Sequence, residues 1–356
     1  MNPIYNDTLF PPEVTARFPS TRYQGSKAKL TDWIWSHVKN LDFQTCLEAF
    51  GGTGVIAHRL KQAGKQVTYN DLLKFNYNFG TGLIENNDVK LDDKTMSFIL
   101  HRHEDVAYST FIQDTFKDIY FTDEENRWLD QTIANINSIK NPYKFALAFF
   151  ALAQACIVKR PYNLFHRKNL YIRFADVKRS FGNKASWDKP FPEWFKYFAQ
   201  EANEAVLPGI LPCKAINQDA LEINGNYDLV YIDTPYISKR GVGLDYADFY
   251  HFLEGLCVYD NWNELVDWKS KHHRMKRSPN PWTDKKEIYN AFDKLFEKFS
   301  DSILVISYRS DGIPSIEEVV SILRKYKSKI TTEIFGQYKY VLSNNGKSKE
   351  VLIIAE

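Results

Sequence analysis

The stretch QTCLEAFGGTGVIAHRLKQAGKQVTYND, residues 44–71, carries the pattern that decides the fold. Residues 44–50 are typical of a strand, and the glycine turn at 51–54 leads into VIAHRLKQAG, residues 55–64, a predicted helix that ends at Gly64. Residues 65–71 predict a second strand. Two strands joined through a tight turn and one helix indicate a parallel sheet of the α/β class.

The same alternation is found toward both ends of the chain. Further strands are predicted at 215–219, 227–233, 302–308, 329–335 and 349–354, and helices at 26–39, 246–257 and 286–300. In residues 85–205 strand patterns become rare, and helical stretches appear at 122–137 and 143–157. We therefore predict one α/β domain formed by residues 1–84 and 206–356, with a largely helical region, 85–205, inserted into it.

Composition excludes several classes of protein. The 356 residues are 44% hydrophobic with a net charge of +2, which predicts a packed core and no overall polyanion-binding character. No apolar run is long enough to cross a membrane, and the N-terminus lacks the pattern of a signal peptide. The four cysteines form no CxxC pair, and the histidines have no ligand spacing, so we expect a cytoplasmic protein without metal.

The stretch VYIDTPY, residues 230–236, ends a predicted buried strand in polar residues. Ligands of open α/β sheets bind beyond the carboxyl ends of the strands. Thr234 precedes a proline and is therefore extended, so that the Asp233 carboxylate and the Thr234 carbonyl can both face one amino group. Tyr236, expected to be exposed, offers a flat face, and the set suits the exocyclic amine of a flipped-out base. An ordinary proline turn explains the tetrapeptide equally well.

Two further motifs are compatible with a nucleotide-like cofactor. Gly52-x-Gly54-x-x-Ala57, with Asp71 further on, fits the loose fingerprint in which a glycine turn and a helix N-terminus approach the ligand and an acid binds ribose hydroxyls. RYQGSK, residues 22–27, places a lysine at the start of a predicted helix, where it could bind an anion. Taken singly, a plain turn and a serine N-cap account for these two motifs.

The order of these motifs is more specific than any one of them. RYQGSK (22–27), LEAFGGTG (47–54), YNDL (69–72), AINQD (215–219) and YIDTPY (231–236) together resemble the D12-class, Dam-like N6-adenine DNA methyltransferases. The resemblance implies a Rossmann-like, S-adenosylmethionine-dependent methyltransferase sheet with an inserted DNA-recognition domain. It implies methyl transfer to the N6 of a flipped-out adenine in double-stranded DNA, and a cognate restriction endonuclease as a partner. One residue differs, because Thr234 stands where the family has proline, although its carbonyl is retained.

The resemblance also implies roles for single residues. S-adenosylmethionine would be bound by Tyr23, Gly25, Lys27, Glu48, Phe50, Gly52, Gly54, Asp71 and Asp219. The target adenine would be held by Asp233, Thr234, Pro235 and Tyr236, with Lys27 near by.

DNA contacts are expected from the basic and aromatic segment 159–196 of the inserted region. The candidates for phosphate and base contacts are Lys159, Arg160, Arg167, Lys168, Arg173, Lys178 and Arg179. A second basic stretch, residues 269–286, is a further candidate.

Other functions remain compatible with the sequence at this point. An N4-cytosine methyltransferase meets the same exocyclic amine, and an RNA or protein-glutamine methyltransferase shares the fold. An NAD-dependent oxidoreductase would use the glycine turn but leaves VYIDTPY and RYQGSK unexplained. A DNA-binding regulator without catalytic activity would not need Asp71 and Asp233.

Overall fold

The computed structural model describes residues 16–176, 184–238, 241, 243, 245–336 and 348–356. The predicted DNA contacts Lys178 and Arg179 lie outside these residues. The strands are β1 (Thr45–Glu48), β2 (Gln66–Asn70), β3 (Lys214–Ile216), β4 (Leu229–Ile232), β5 (Ile237–Ser238), β6 (Ile303–Arg309), β7 (Gly312–Ile313), β8 (Ile330–Phe335) and β9 (Glu350–Ala355).

Seven of these strands form one sheet in the order β3-β2-β1-β4-β6-β9-β8. The first five strands of that order are parallel, and β9 lies antiparallel between β6 and β8. The strand order reverses between β1 and β4, which makes their carboxyl ends the switch point of the sheet. β5 and β7 pair separately as a short antiparallel ribbon. The predicted α/β, Rossmann-like fold class is confirmed.

Helices connect and cover the strands. They are α1 (Thr31–Val38), α2 (Val55–Gln62), α3 (Lys74–Gly80), α4 (Asp93–Leu100), α5 (Phe111–Thr115), α6 (Asp123–Asn137), α7 (Pro142–Val158), α8 (Tyr171–Phe174), α9 (Lys184–Asp188), α10 (Phe191–Ala205), α11 (Tyr246–Leu256), α12 (Trp262–Leu265), α13 (Ile288–Lys298) and α14 (Ile316–Leu323). A short π-helix, Thr81–Glu85, continues α3.

Two predicted elements begin or end three or more residues from the expected position. The helix expected at 26–39 begins at Thr31, because Gly25 has a φ of 82° and the following residues form a turn in which the Leu30 N–H donates to the carbonyl of Lys27. The strand expected at 215–219 ends at Ile216, after which the Asn217 side chain donates to the carbonyl of Asp71. Residues 217–219 therefore form a loop at the edge of the sheet.

The two faces of the sheet are covered by different helices. Alternate strand residues point to opposite faces, so Tyr231 belongs to one core and its neighbours Val230 and Ile232 to the other. The first face packs against α1, α2 and the helices between β2 and β3, and the second packs against α13 and α14.

The helical region shares its core with the sheet. Helix α7 is buried at every position from Ala146 to Val158, as expected for a helix that is apolar all round, and it packs against α3 and α10. Helices follow β2 immediately, from α3 at Lys74 onward. The predicted boundaries of the inserted region, at 85 and 205, stay a prediction.

Candidate active site

A cavity opens at the switch point of the sheet. Its walls come from the turn before α1, the carboxyl ends of β1, β2 and β4, the loop after β3 and the start of α11. Residues from separate sequence motifs meet there: Tyr23, Gly25, Lys27, Glu48, Phe50, Gly52, Asp71, Asp219, Asp233, Pro235 and Tyr236. Of the predicted cofactor and target residues, Gly54 and Thr234 are absent from this lining.

The glycine turn fits closely around the end of β2. The Gly52 N–H donates to Asp71 Oδ2 at 2.8 Å, and the Gly54 N–H donates to the Gly51 carbonyl at 2.8 Å. Gly54 has a φ of 79° and precedes α2, and a Cβ there would lie 3.3 Å from the Tyr69 ring. Gly54 therefore shapes the turn from behind the cavity wall.

Carboxylates are prominent in the polar lining at one end of the cavity, beside the glycine turn. Burial raises the pKa of Asp71 to about 6, although the N–H groups of Leu73 and Gly52 oppose that rise. Burial also raises the pKa of Glu48, whose Oε2 accepts from the Ala57 N–H at 3.1 Å. Acids that line a cavity suit a ligand that carries positive charge and hydroxyl groups.

Asn76 adds an unused acceptor to this end of the cavity. Its Nδ2 donates to Asp71 Oδ2 at 3.1 Å and to the Tyr23 hydroxyl at 3.2 Å. Its Oδ1 is buried and has no hydrogen-bond partner among the described residues, although Asn76 lines the cavity. A buried acceptor without a partner is costly unless a ligand donates to it. The residues present therefore fit a cofactor with a hydroxyl or amino group here.

Three tyrosines stack at one wall of the cavity, and two of them, Tyr23 and Tyr246, line it. The centroid of the Tyr23 ring lies 5.6 Å from that of Tyr246, with an angle of 2° between the ring planes. It lies 4.7 Å from the centroid of Tyr250, with an interplanar angle of 10°. Gly25 makes room for this stack, because a Cβ there would lie 2.5 Å from the Tyr246 hydroxyl oxygen. Sequence reasoning missed Tyr246 and Tyr250, although their spacing of four residues places both on one side of α11.

The other end of the cavity holds Asp233. Lys27 Nζ lies 3.0 Å from Asp233 Oδ1 and 3.0 Å from Glu350 Oε1. Burial raises the pKa of Asp233 to about 6, the Lys27 ammonium lowers it, and the charge of Glu350 raises it. Sequence reasoning missed Glu350, which looked like an ordinary residue of a terminal strand.

Tyr236 and Thr234 differ from expectation in their exposure. Tyr236 was expected to be exposed but is 4% exposed, and the Arg309 guanidinium lies 4.7 Å from the centre of its ring. Arg309 forms an ion pair with Asp311, with 2.6 Å between Arg309 Nε and Asp311 Oδ1. Thr234 is buried, and its Oγ1 has no hydrogen-bond partner among the described residues. Tyr236 nevertheless lines the cavity.

A loop from the second half of the chain closes another side. We call residues 266–287, between α12 and α13, the basic loop. Trp282 in this loop lines the cavity and meets Phe50 edge to face, with ring centroids 4.9 Å apart. Asn280 accepts from the Trp282 N–H at 3.0 Å and also lines the cavity. Neither residue was predicted to line the site, since a single Asn-Pro-Trp sequence carries no motif.

The structure corrects the expectation for three of the predicted DNA contacts. Lys159 and Arg173 are buried, and both bind Glu125. Lys159 Nζ lies 2.9 Å from Glu125 Oε1, and Arg173 Nη1 lies 2.7 Å from Glu125 Oε2. Arg160 is buried and donates to the carbonyls of Tyr120 and Leu164. These three cations hold the helical region together and do not reach the surface as phosphate contacts would. Arg167 and Lys168 are exposed.

A doubly wound sheet with a cavity at its switch point, and an Asp-x-Pro-Tyr element beyond β4, is the arrangement expected of S-adenosylmethionine-dependent methyltransferases that act on exocyclic amines. The match to known families is more specific. The chain belongs to the D12 class N6 adenine-specific DNA methyltransferase family, whose model matches residues 23–322.

Individual relatives agree with this family. The chain is 29% identical to the type II methyltransferase M2.HphI of Haemophilus parahaemolyticus, over 96% of this chain and 98% of that protein. It is 26% identical to M.FokI of Planomicrobium okeanokoites, over 94% of this chain but 55% of that protein. It is 21% identical to M.NlaIII of Neisseria lactamica, over 85% and 88% of the two chains.

Family membership decides between the functions that the sequence left open. The protein is an adenine-specific DNA methyltransferase that takes its methyl group from S-adenosylmethionine. The interpretations as a cytosine, RNA or protein-glutamine methyltransferase, as an NAD-dependent oxidoreductase and as a regulator without activity are therefore set aside.

Metal ligands and membrane spans are both missing from the described ranges. In the part of the chain that the structure describes, no three His, Cys, Asp or Glu side chains are grouped as a metal site requires. Over the same residues, every helix is too short or too polar to cross a membrane.

Proposed function

We propose that this chain is the modification enzyme of a restriction-modification system and that one cavity holds both the cofactor and the target adenine. The observation that carries the proposal is the continuity of the cavity, which joins the glycine turn at Gly52 to Asp233 and Tyr236. Methyl transfer needs the two reactants to meet in one site with their reacting atoms in line.

The cofactor end is formed by the acids and rings of the first half of the sheet. Asp71 and Asn76 would accept from the ribose hydroxyls, and Asp219 would accept from the adenine amine. Phe50 and Trp282 would form an apolar wall for the cofactor, and Tyr23 would form another beside Gly52, where a Cβ would lie 3.6 Å from its ring. S-adenosylmethionine supplies an electrophilic methyl group on a sulfonium centre.

The target end activates a weak nucleophile. The lone pair of adenine N6 is delocalised into the ring, and acceptors along both N–H bonds return it to the nitrogen. Asp233 and the Thr234 carbonyl are those acceptors, and Tyr236 stacks on the flipped base. The nitrogen would gain an N–C bond as the S–C bond of the sulfonium methyl breaks, and the proton that the nitrogen then loses would pass to the Asp233 carboxylate. Preorganised acceptors of this kind lower the barrier in a site that excludes water.

Two surfaces are proposed to contact the DNA backbone. Arg167 and Lys168 are the exposed pair that remains of the predicted set in the described residues. The basic loop adds exposed lysines, among them Lys269, Lys271, Lys285 and Lys286. This loop also lines the cavity through Trp282. Its lysines would therefore contact phosphates close to the flipped base.

The biological setting follows from the relatives, which are named type II methyltransferases. On that basis we place this chain beside a cognate restriction endonuclease of the same recognition sequence. We place both in the cytoplasm, where they would meet the DNA they act on.

Nucleoside mass spectrometry tests the proposal. The protein is incubated with S-adenosylmethionine and unmethylated double-stranded DNA, the DNA is digested, and methylated bases are measured for wild type and Asp233→Ala. We expect N6-methyladenine with wild type and a loss of at least about a thousandfold in the variant, since the variant lacks an acceptor made for the reacting amine.

Cofactor affinity supplies the control. Asp233→Ala should bind S-adenosylmethionine within about threefold of wild type, because the loss concerns the reacting amine. N6-methyladenine from both proteins would overturn the role of Asp233. Wild type that binds cofactor and leaves double-stranded DNA unmethylated would overturn the proposed substrate.

A further inference from the structure

A buried cluster of two acids and one base stands behind the target end of the cavity. Lys27 Nζ lies midway between Asp233 Oδ1 and Glu350 Oε1, 3.0 Å from each. The exposed fractions of the three side chains are 6% for Lys27, 19% for Asp233 and 0% for Glu350. Asp233 lines the cavity, whereas Glu350 does not.

Glu350 reaches this place through the topology of the sheet. β9 runs antiparallel to β6, so its first residue lies beside the carboxyl end of β6, in register with Arg309. The Ser307 hydroxyl donates to Glu350 Oε1 at 2.6 Å, which fixes the oxygen that Lys27 contacts. Glu350 therefore acts on Asp233 through Lys27 and through its own charge.

The cost of burying Glu350 calls for a reason. An ionised carboxylate without exposure is expensive, and an apolar residue in its place would often be as stable. Lys27 alone could neutralise Asp233, so the fold does not need a second acid to satisfy that carboxylate. A second acid makes sense if Lys27 must be held back from Asp233 during the reaction.

We infer that Glu350 is a positioning residue for methyl transfer, which holds Lys27 so that Asp233 Oδ1 can accept from the target amine. This inference rests on the proposed role of Asp233. When the amine arrives, it and the ammonium compete for the Asp233 carboxylate, and Glu350 gives Lys27 a second anion to bind. When the methylated nitrogen releases its proton, the charge of Glu350 favours protonation of Asp233.

Several titratable groups surround Asp233. They are Lys27 from the turn before α1, Glu48 at the end of β1, Tyr231 on β4, Tyr236 beyond β4, Tyr246 at the start of α11 and Glu350 on β9. Lys27 is the cation among them, so its division between two acids modulates the proton affinity that burial gives Asp233.

Single-turnover methylation at saturating cofactor and DNA, measured from pH 5 to 9, tests the inference with Glu350→Gln. We expect the rate at pH 8 to fall about tenfold or more, because Lys27 then loses the Glu350 carboxylate and competes more strongly with the amine for Asp233. We also expect the acidic limb, the pH range in which the rate falls as Asp233 is protonated, to move about one pH unit lower. The reason is that Asp233 loses a repelling charge. Cofactor affinity should stay within about twofold, since Glu350 does not touch the cavity.

Glu85→Gln is the matched control. Glu85 is a half-buried acid outside the cavity that accepts from the Ala215 N–H and the Tyr143 hydroxyl. Its variant should keep both the rate and the acidic limb of wild type. A Glu350→Gln protein with the wild-type rate and limb would overturn the inference. The inference would also be overturned if Glu350→Gln lowered the rate, left the acidic limb unmoved and lowered cofactor affinity to the same extent.

Glu350→Asp keeps the charge and shortens the side chain. We expect the acidic limb of wild type with a rate at least about threefold lower, because the charge persists but Lys27 is held less well. If Glu350→Gln is not recovered folded, this variant decides, and a wild-type rate would overturn the inference. Failure of wild type to form N6-methyladenine would instead overturn the proposed function, so the two failures are distinguishable.

Discussion

Asp233 has to remain ionised in surroundings that favour its neutral form. Most of its side chain is withdrawn from water, and Glu350 adds a repelling charge, while Lys27 supplies the opposing attraction. The result is a carboxyl group with a pKa of about 6, against an ordinary value of 3.8. A stronger proton affinity makes it a better acceptor for the amine and for the released proton.

The pKa of Asp233 predicts the pH dependence of the reaction. Above about pH 6 the carboxylate is ionised and accepts from the amine, and below that pH it is progressively protonated, so the rate should fall about tenfold for each pH unit. Single-turnover rates at saturating cofactor check this. Saturation matters because Asp71 also has a pKa of about 6, and cofactor affinity should weaken in the same range. A rate that stays flat down to pH 5 would contradict the prediction.

At the scale of elements, one largely buried acid ties the helical region together. Glu125 lies at the start of α6, where it completes a capping box with Thr122, and it pairs with Lys159 after α7 and Arg173 in α8. Although burial alone would raise it, the pKa of Glu125 is lowered by Arg173 and Lys159. The cluster therefore joins three segments that are distant in sequence.

Glu125→Gln should destabilise the protein by about 3 kcal/mol at neutral pH, because two buried cations lose their anion while the shape of the cap is kept. A carboxyl group with a lowered pKa in the folded state stabilises above its unfolded pKa and loses that contribution as the pH falls through its folded pKa. The difference between wild type and variant should thus shrink in acid. Urea unfolding at pH 7 and pH 4 measures both quantities.

Glu124→Gln is the control for this change. Glu124 is the exposed neighbour in the same first turn of α6. Its replacement should alter the free energy of unfolding by less than about 0.5 kcal/mol. Equal effects of the two variants would contradict the role given to the cluster.

At the scale of the whole molecule, the positive charges fall into two groups with different tasks. Lys159, Arg160 and Arg173 are internal and stabilise the helical region. Arg167, Lys168 and the lysines of the basic loop are exposed. Another cation of the basic loop, Arg277, fixes that loop to α11 by donating from Nε to Asp248 Oδ1 at 3.0 Å. The net charge of +2 hides this division, since acids elsewhere cancel it.

Reversal of Arg167 and Lys168 to glutamate should weaken DNA binding at least about tenfold and lower the salt dependence of the affinity by about two phosphate contacts. Cofactor affinity should be unchanged. Fluorescence anisotropy across a salt series measures the slope. The matched control reverses Lys294 and Lys298, which are exposed on α13. An equal loss in both double variants would mean that net charge, rather than this surface, governs binding.

Local patterns were sufficient for the framework of the molecule. The glycine turn, the apolar runs and the order of the motifs predicted the parallel sheet, the helices between β2 and β3 and eleven residues of the cavity lining, from Tyr23 to Tyr236. Such features are set within a few residues, because backbone conformation, side-chain alternation and strand ends are local properties. Element ends were less accurate, as α1 shows, where a positive φ at Gly25 delays the helix.

Tertiary structure alone decided which charges are internal and which residues share the site. Glu350, Tyr246 and Trp282 come from three distant segments and meet the predicted motifs only after the sheet and α11 are assembled. Arg160 and Lys168 were predicted with the same role, and burial separates them, which depends on packing between helices far apart in sequence. Sequence by itself determined the fold and the kind of chemistry, because both follow from local pattern and residue type. Folding determined the electrostatics, because the pairing of a charge depends on neighbours that no local pattern specifies.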